Sequence, residues 1–219
     1  MAAPTRLDRR HQRRQETIEQ VLAVAVEVMA EQGVAGLTLG EVARRMGIRP
    51  PSLYVYFDGK NALYDALFER GWRLLGGTLR GHYPAAAEQD PVTETRVFAA
   101  AFVRWAVEHP AYAPLMFWRP VPGFTPSERA YAPAVELVAL GRERIARLRA
   151  RGALRAGTDL DLAFTTWTAM VSGVISQQLS NAPDEPFETG TFTAVLPELV
   201  GMWLTRFAAL PVPPAEPSS

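Results

Sequence analysis

The sequence predicts an all-α fold of about nine helices, and three observations predict it. Apolar residues recur at three- and four-residue intervals along the longer segments. Between those segments stand helix starts and stops: Thr and Asp caps, glycines and prolines. One stretch, Leu37 to Leu67, reads as two short helices, Thr38–Met46 and about Pro50–Tyr56, turned at Gly47-Ile48-Arg49 and followed by a long helix from Lys60.

The first of those short helices is specified three ways. Thr38 stands at the N-cap, Glu41 is placed to reach back to its amide, and Leu37 and Val42 occupy staple positions. Leu39, Val42, Ala43 and Met46 share one face, and Gly47 supplies a left-handed stop. The second helix opens with Pro50-Pro51, tolerated only in a first turn. Leu53 and Phe57 point inward, which leaves Ser52, Val55 and Tyr56 outward. A short helix held from behind and showing small, polar and aromatic groups in front suits a DNA major groove; an ordinary helical hairpin has the same spacing.

The run G-I-R-P-P-S-L-Y-V-Y-F-D-G-K-N-A-L (47–63) carries more than spacing. With Gly47, Leu53-Tyr54, Tyr56-Phe57, Lys60 and Leu63, it resembles the signature of the tetracycline-repressor (TetR) family of bacterial regulators. The resemblance implies a DNA-binding homodimer whose larger C-terminal domain holds a small-molecule effector. Residues 1–58 then form an arm and helix-turn-helix domain, 59–210 a ligand-binding and dimerisation domain, and 211–219 a disordered tail. Arg49 departs from the pattern, since many relatives cap the reading helix with Ser or Thr.

Composition bounds the function. The chain has 219 residues, is 48% hydrophobic and has a mean hydropathy of -0.04, as a soluble globule does. The absence of Cys excludes disulfides, thiolate zinc sites and thiol nucleophiles, and suits a cytoplasmic location. His11, His82 and His109 show no metal-ligand spacing, and no cofactor is implied. Net charge is +0, so a nucleic-acid surface must come from uneven distribution. That unevenness lies at the front, where Arg6, Arg9, Arg10, Arg13 and Arg14 face only Asp8. The following amphipathic helix, with Ile18, Val21, Leu22, Ala25 and Met29 inward, carries too many glutamates to be a signal peptide or a membrane span. The basic arm is either a solvated tail or a DNA contact.

Each residue of the head has a role and a rival. Thr38 is a cap or a phosphate contact. Tyr56 matches a phosphate-binding position of the family, and Lys60, the one lysine of the chain, stands where a helix start favours anions. Arg49, Ser52 and Val55 are candidates for base edges: guanine, several bases and a thymine methyl respectively. Arg49 serves equally as a phosphate clamp. Pro50 leads the reading helix, and Tyr54 is expected to be mostly packed.

Farther on, a helix from Lys60 to about Arg80 buries Leu63, Leu67 and Leu74. Its Gly71 and Gly76-Gly77 offer either a hinge or close packing. A turn region to Pro91 precedes a helix Thr93–Glu108, stopped at His109-Pro110. Residues 119–133 read as an irregular connection. Ala134–Arg151 shows a basic face (Arg142, Arg144, Arg147, Arg149, Arg151) that reads as solvated. Asp159–Ser180 and Thr191–Leu210 are long and widely apolar, and the family places a homodimer interface on such a closing pair. Pro197 either starts the last helix late or kinks it. The spacing Trp167…Gly173 resembles the Trp-His-Gly motif of one subfamily, with Ser172 in place of the His.

No catalytic motif occurs, so the chain is not expected to be an enzyme. Trp72, Phe102, Trp105, Met116, Phe117, Phe164, Trp167 and Met170 suit either a pocket for a small apolar or aromatic effector or a solid core. The expected function is a regulator, a repressor by analogy, that binds a palindromic operator on double-stranded DNA and is released by such a ligand. The alternative is a helical small-molecule-binding protein without DNA-binding activity. No membrane partner is expected.

Overall fold

The computed structural model describes the backbone of residues 6–87 and 90–209, and their side chains other than those of 6–8 and 83–87. Every regular element among them is helical, apart from one isolated bridge between Leu154 and Ala208. The α-helices are α1 (Arg6–Gly36), α2 (Leu39–Arg45), α3 (Lys60–Ala87), α4 (Pro91–Glu108), α5 (Ala113–Phe117), α6 (Glu128–Ala150), α7 (Leu160–Asn181) and α8 (Leu196–Phe207). Single 3-10 turns lie at Pro50–Ser52 and Thr193–Val195.

The expected helix at Pro50–Tyr56 is therefore not an α-helix. Two adjacent prolines lack amide hydrogens, and the bonds that form close three residues apart: Ser52 N to Arg49 O at 2.9 Å, Leu53 N to Pro50 O at 3.0 Å and Tyr56 N to Leu53 O at 2.9 Å. Only Phe57 N, 3.0 Å from Leu53 O, closes a helical turn. The segment still points Leu53 and Phe57 inward, 0% and 5% exposed.

The chain divides into two compact units. The first holds residues up to Gly71 with Ala111–Tyr131, and the second holds Trp72–Pro110 and the chain from Ala132 onward. In the first, Val21, Ala25 and Val28 of α1 are buried, as are Leu39, Val42 and Ala43 of the neighbouring α2. The helical run of α1 breaks at Gly33, whose φ of 71° is left-handed. Its last carbonyls need outside donors. Lys60 Nζ donates to Ala35 O at 3.2 Å, and the buried Tyr64 hydroxyl donates to Val34 O at 2.8 Å. Two side chains one turn apart on α3 thus close the end of α1. Gly71 serves close packing: a Cβ there would meet Met116 Sδ at 2.5 Å. α3 runs on through Gly76-Gly77 past the expected end near Arg80.

In the second unit, α4, α7 and α8 pack on one another. Phe98, Trp167, Trp203 and Phe207 form a chain of rings with successive centroids 6.3, 5.4 and 5.2 Å apart. Trp203 Nε1 donates to Ala163 O at 3.0 Å, so the indole is buried without an orphaned donor.

Several expectations need correction. α4 starts at Pro91, because Asp90 accepts from the amides of Val92 and Thr93 at 2.9 and 3.1 Å. α6 starts at Glu128 and contains Pro133, its start bonded through Ser127 Oγ to Ala130 N at 3.3 Å. Pro197 lies in the first turn of α8, so that helix starts late. Leu74 is exposed and Leu75 takes the buried place; Val195 is exposed too. Arg144, expected on a solvated face, is 1% exposed. It stands seven residues after Leu137 and four before Leu148, inside the buried stripe of α6. The tail 211–219, Leu210 and the first five residues of the arm lie outside the described residues.

Candidate nucleic-acid interface and effector cavity

The front of the first unit is built by α2, the proline turn and the start of α3. Thr38 Oγ accepts from Glu41 N at 3.1 Å, so the predicted cap forms. The return half of the capping box does not. The Glu41 carboxylate instead takes Arg44 Nε at 2.8 Å and Arg45 Nε at 2.8 Å, while Arg45 also reaches Glu31 at 2.5 Å. Hydrogen bonds from Arg44 and then Arg45 hold the Glu41 carboxyl well down, from its ordinary 4.5 to about 2. Two of the cations near the head are thereby neutralised within it.

The exposed tip of the turn is what remains. Arg49, Pro50 and Ser52 are exposed, as are Tyr54 (58%) and Val55 (70%). Tyr54 is thus not packed, contrary to expectation, because Leu53 fills the inward position beside it. Arg49 opens the turn without a side-chain cap bond. Tyr56 is half-buried under a residue of the basic segment: the Arg14 guanidinium lies 5.2 Å from its ring centroid and donates to Val55 O at 3.2 Å. From Arg6 onward that basic segment is part of α1, with Arg9, Arg10, Arg13 and Arg14 exposed along it. Lys60 stands 5.2 Å from the Tyr64 ring centroid while bonded to Ala35 O, half-buried at the start of α3.

The eight apolar residues singled out for an effector are divided between the two units. Met116 and Phe117 belong to α5 in the first unit; Trp72, Phe102, Trp105, Phe164, Trp167 and Met170 belong to the second. Trp105 borders a groove of about 320 Å³ with Val97, Ala100, Ala101, Arg104 and His109. The His109 ring stacks on Trp105 at 4.6 Å and its Nδ1 meets Trp105 O at 2.7 Å, as a helix-end histidine does. Trp167 lies instead in the ring chain beside Phe98 and Trp203.

Sequence reasoning missed the cluster around Arg144. Its guanidinium carbon lies 4.5 Å from the Phe98 ring centroid and 4.8 Å from that of Trp167. Nη1 is 3.9 Å from Glu94 Oε1, and Glu94 Oε2 is held by Arg151 at 2.9 Å. Burial pushes the Arg144 guanidinium down to about 10 despite Glu94, and it stays charged at neutral pH.

Comparison with known proteins fits this architecture. Residues 21–67 match the family described as bacterial regulatory proteins, tetR family, and 95–196 match a tetracyclin repressor-like C-terminal domain. Together the matches span well over half of the chain, which belongs to the TetR family of bacterial regulators. The finer likeness to a Trp-His-Gly subfamily is not established by these matches. The HTH-type transcriptional regulator Rv1816 of Mycobacterium tuberculosis is 28% identical over 153 residues, 68% of this chain and 65% of the relative. The chain thus matches just under two thirds of that relative's length. Two solved structures share the fold. The structure of SCO4313 gives a TM-score of 0.72 at 22% identity, over 93% of this chain and 100% of that one. The regulator FadR from Bacillus subtilis, solved in complex with stearoyl-CoA, gives 0.69 at 14%, over 85% and 97%. The relatives are transcriptional regulators, not enzymes. No helix among the described residues is long and apolar enough to cross a membrane.

Proposed function

We propose that this protein is a sequence-specific DNA-binding transcriptional regulator, a homodimeric repressor released from a palindromic operator by a small, largely apolar ligand. The observation that carries the reading is the proline-led turn. Leu53 and Phe57 fasten it from behind, and Ser52, Tyr54 and Val55 stand free in front, flanked by Arg14, Arg49 and Lys60. Arg49, Ser52 and Val55 read base edges; Thr38, Tyr56 and Lys60 position the head on phosphates. The two heads of a dimer meet half-sites roughly 34–36 Å apart on one face of the duplex.

The exposed faces of α7 and α8 supply the dimer contact. On α7, Leu162, Thr166, Ala169 and Gly173 recur with helical period and are all exposed, and a Cβ at Gly173 would meet nothing within 4 Å. The Trp105 groove, at about 320 Å³, falls within the size range of small-molecule sites. A fold relative solved with a long acyl ligand supports an apolar effector as well. Such a ligand shifts the balance between DNA-fitting and non-fitting states by its difference in affinity for the two.

The test is selection of binding sites from random duplex DNA, then mobility shift on the selected sequence. A palindrome with half-sites about one helical turn apart is expected. Ser52→Ala and Arg49→Ala should change which sequence is selected, whereas Tyr56→Phe should weaken all sequences alike. Binding that showed no preference over bulk DNA would overturn the reading.

A further inference from the structure

Arg144 sits in the C-terminal part of α6 with its side chain 1% exposed. Of its donors, only Nη1 faces polar atoms: Thr95 Oγ at 3.5 Å and Glu94 Oε1 at 3.9 Å, the second beyond hydrogen-bond reach. Glu94 spends its short bond on Arg151. Nε and Nη2 are buried and meet no acceptor among the described residues. Native interiors rarely leave donors in that condition, and a guanidinium has no acceptor of its own with which to adapt. The orphaned pair is also a particular pair. Nε–H and one Nη2–H run parallel along one edge of the guanidinium, the edge that takes two oxygens of one anion.

We propose that Arg144 is the anchor for an acidic effector, an apolar molecule whose single carboxylate is taken side-on by the Nε and Nη2 edge. This rests on the reading that the second unit receives a small apolar ligand; it adds the charge that the ligand carries and places it at Phe98, Arg144 and Trp167, which lie outside the lining of the Trp105 groove. The surroundings choose the class. Phe98 and Trp167 lie against the guanidinium, so a hydrated inorganic ion would lose its water to aromatic carbon. A phosphate would bring more acceptors and more charge than two N–H groups answer. A monocarboxylate brings two acceptors and one charge, and its apolar body meets the rings. The ligand also touches α4, α6 and α7 together through Phe98, Arg144 and Trp167, which places it among helices whose spacing it can set.

The competing account makes Arg144 a strut between α4 and α6. The two differ in what its removal does. An undercompensated buried cation that waits for a ligand can be replaced by an apolar side chain of similar size at little cost, whereas loss of a strut destabilises. The experiment measures calorimetric affinity of the full chain for sodium decanoate, below its micelle-forming concentration, and for 1-decanol. Sodium 4-phenylbutyrate and 4-phenyl-1-butanol form an aromatic pair. At least one acid should bind roughly tenfold or more tightly than its alcohol and quench Trp167 fluorescence, a signal removed by Trp167→Phe. Arg144→Met should abolish the preference for acid over alcohol and leave the unliganded melting temperature unchanged or raised.

Equal affinity of acid and alcohol for the natural protein would overturn the proposal, and that comparison needs no variant. So would an Arg144→Met protein that keeps the acid preference, or one that melts much lower or fails to fold. Competition by millimolar chloride or inorganic phosphate as effective as the acid itself would reduce the site to an ion only and overturn it too. Mobility shift on the ligand-free protein tests the regulator reading separately. DNA binding without acid preference sinks this proposal alone; acid preference without DNA binding sinks the other.

Discussion

Replacing Lys60 by Ala removes two things at once: a bond to the end of α1 and a positive charge on the face proposed to meet DNA. The first is a stability effect. A net hydrogen bond contributes about 1 kcal/mol, and this one, at 3.2 Å to Ala35 O, is half-exposed; the Tyr64 ring adds about 0.5 kcal/mol. The variant should therefore unfold about 1–1.5 kcal/mol more easily in urea. The second effect is on salt dependence. One phosphate contact contributes about 0.9 to the slope of log affinity on log salt, so two heads contribute about 1.8. Between 50 and 200 mM salt that amounts to roughly a twelvefold difference in how much affinity is lost. Tyr64→Phe is the control, because it removes the buried bond to Val34 O at 2.8 Å without touching charge. It should cost about 1–3 kcal/mol and leave the slope alone. Fluorescence anisotropy on a selected operator reads the slope. A folded Lys60→Ala protein with the natural slope would show that Lys60 closes α1 and does nothing for DNA.

Leu53→Ala should destabilise the first unit by about 2–5 kcal/mol, since Leu53 is 0% exposed and with Phe57 fastens the turn from behind; a loss under about 0.5 kcal/mol in urea unfolding would contradict that packing. Acid should loosen the head over a defined window. With the Glu41 carboxyl lowered from 4.5 to about 2, the unfolded chain takes up the proton first, so the stabilisation is complete above pH 4.5 and is lost as pH falls toward 2. Glu41→Gln should flatten the pH dependence of unfolding across that window, and an unchanged profile would show that the Arg44 and Arg45 bonds do not hold in solution. Ala169→Arg, on the exposed face of α7, should turn the proposed dimer into a monomer by light scattering with helix content intact. A dimeric variant would move the interface elsewhere.

Local chemistry explains what was legible in the sequence. Thr38, Gly47, Asp159 and His109-Pro110 each act on neighbours within a few residues, and each forms as read: Thr38 and Asp159 accept first-turn amides, and Gly47 takes a φ of 67°. The proline-led segment was legible as a short helix but not as a 3-10 one, because a first-turn proline is compatible with either and the second proline decides. Glu41 had two suitors, its own cap and the arginines three and four residues on, and the charged pair won. Arg144 was misread by grouping α6 by charge. Its helical angle, shared with Leu137 and Leu148, was the signal that places it inside. The clamp of Lys60 and Tyr64 on α1 joins residues 25 and 30 positions apart, and nothing local announces it.

A chain with Lys60 as its one lysine has one side-chain primary amine. Acylating reagents therefore have a single internal target, and it sits at the face proposed for the operator. Mass spectrometry of the acetylated protein, with and without duplex, would report occupancy of that face as protection of one peptide, and a dye attached there would watch the head directly without any introduced cysteine.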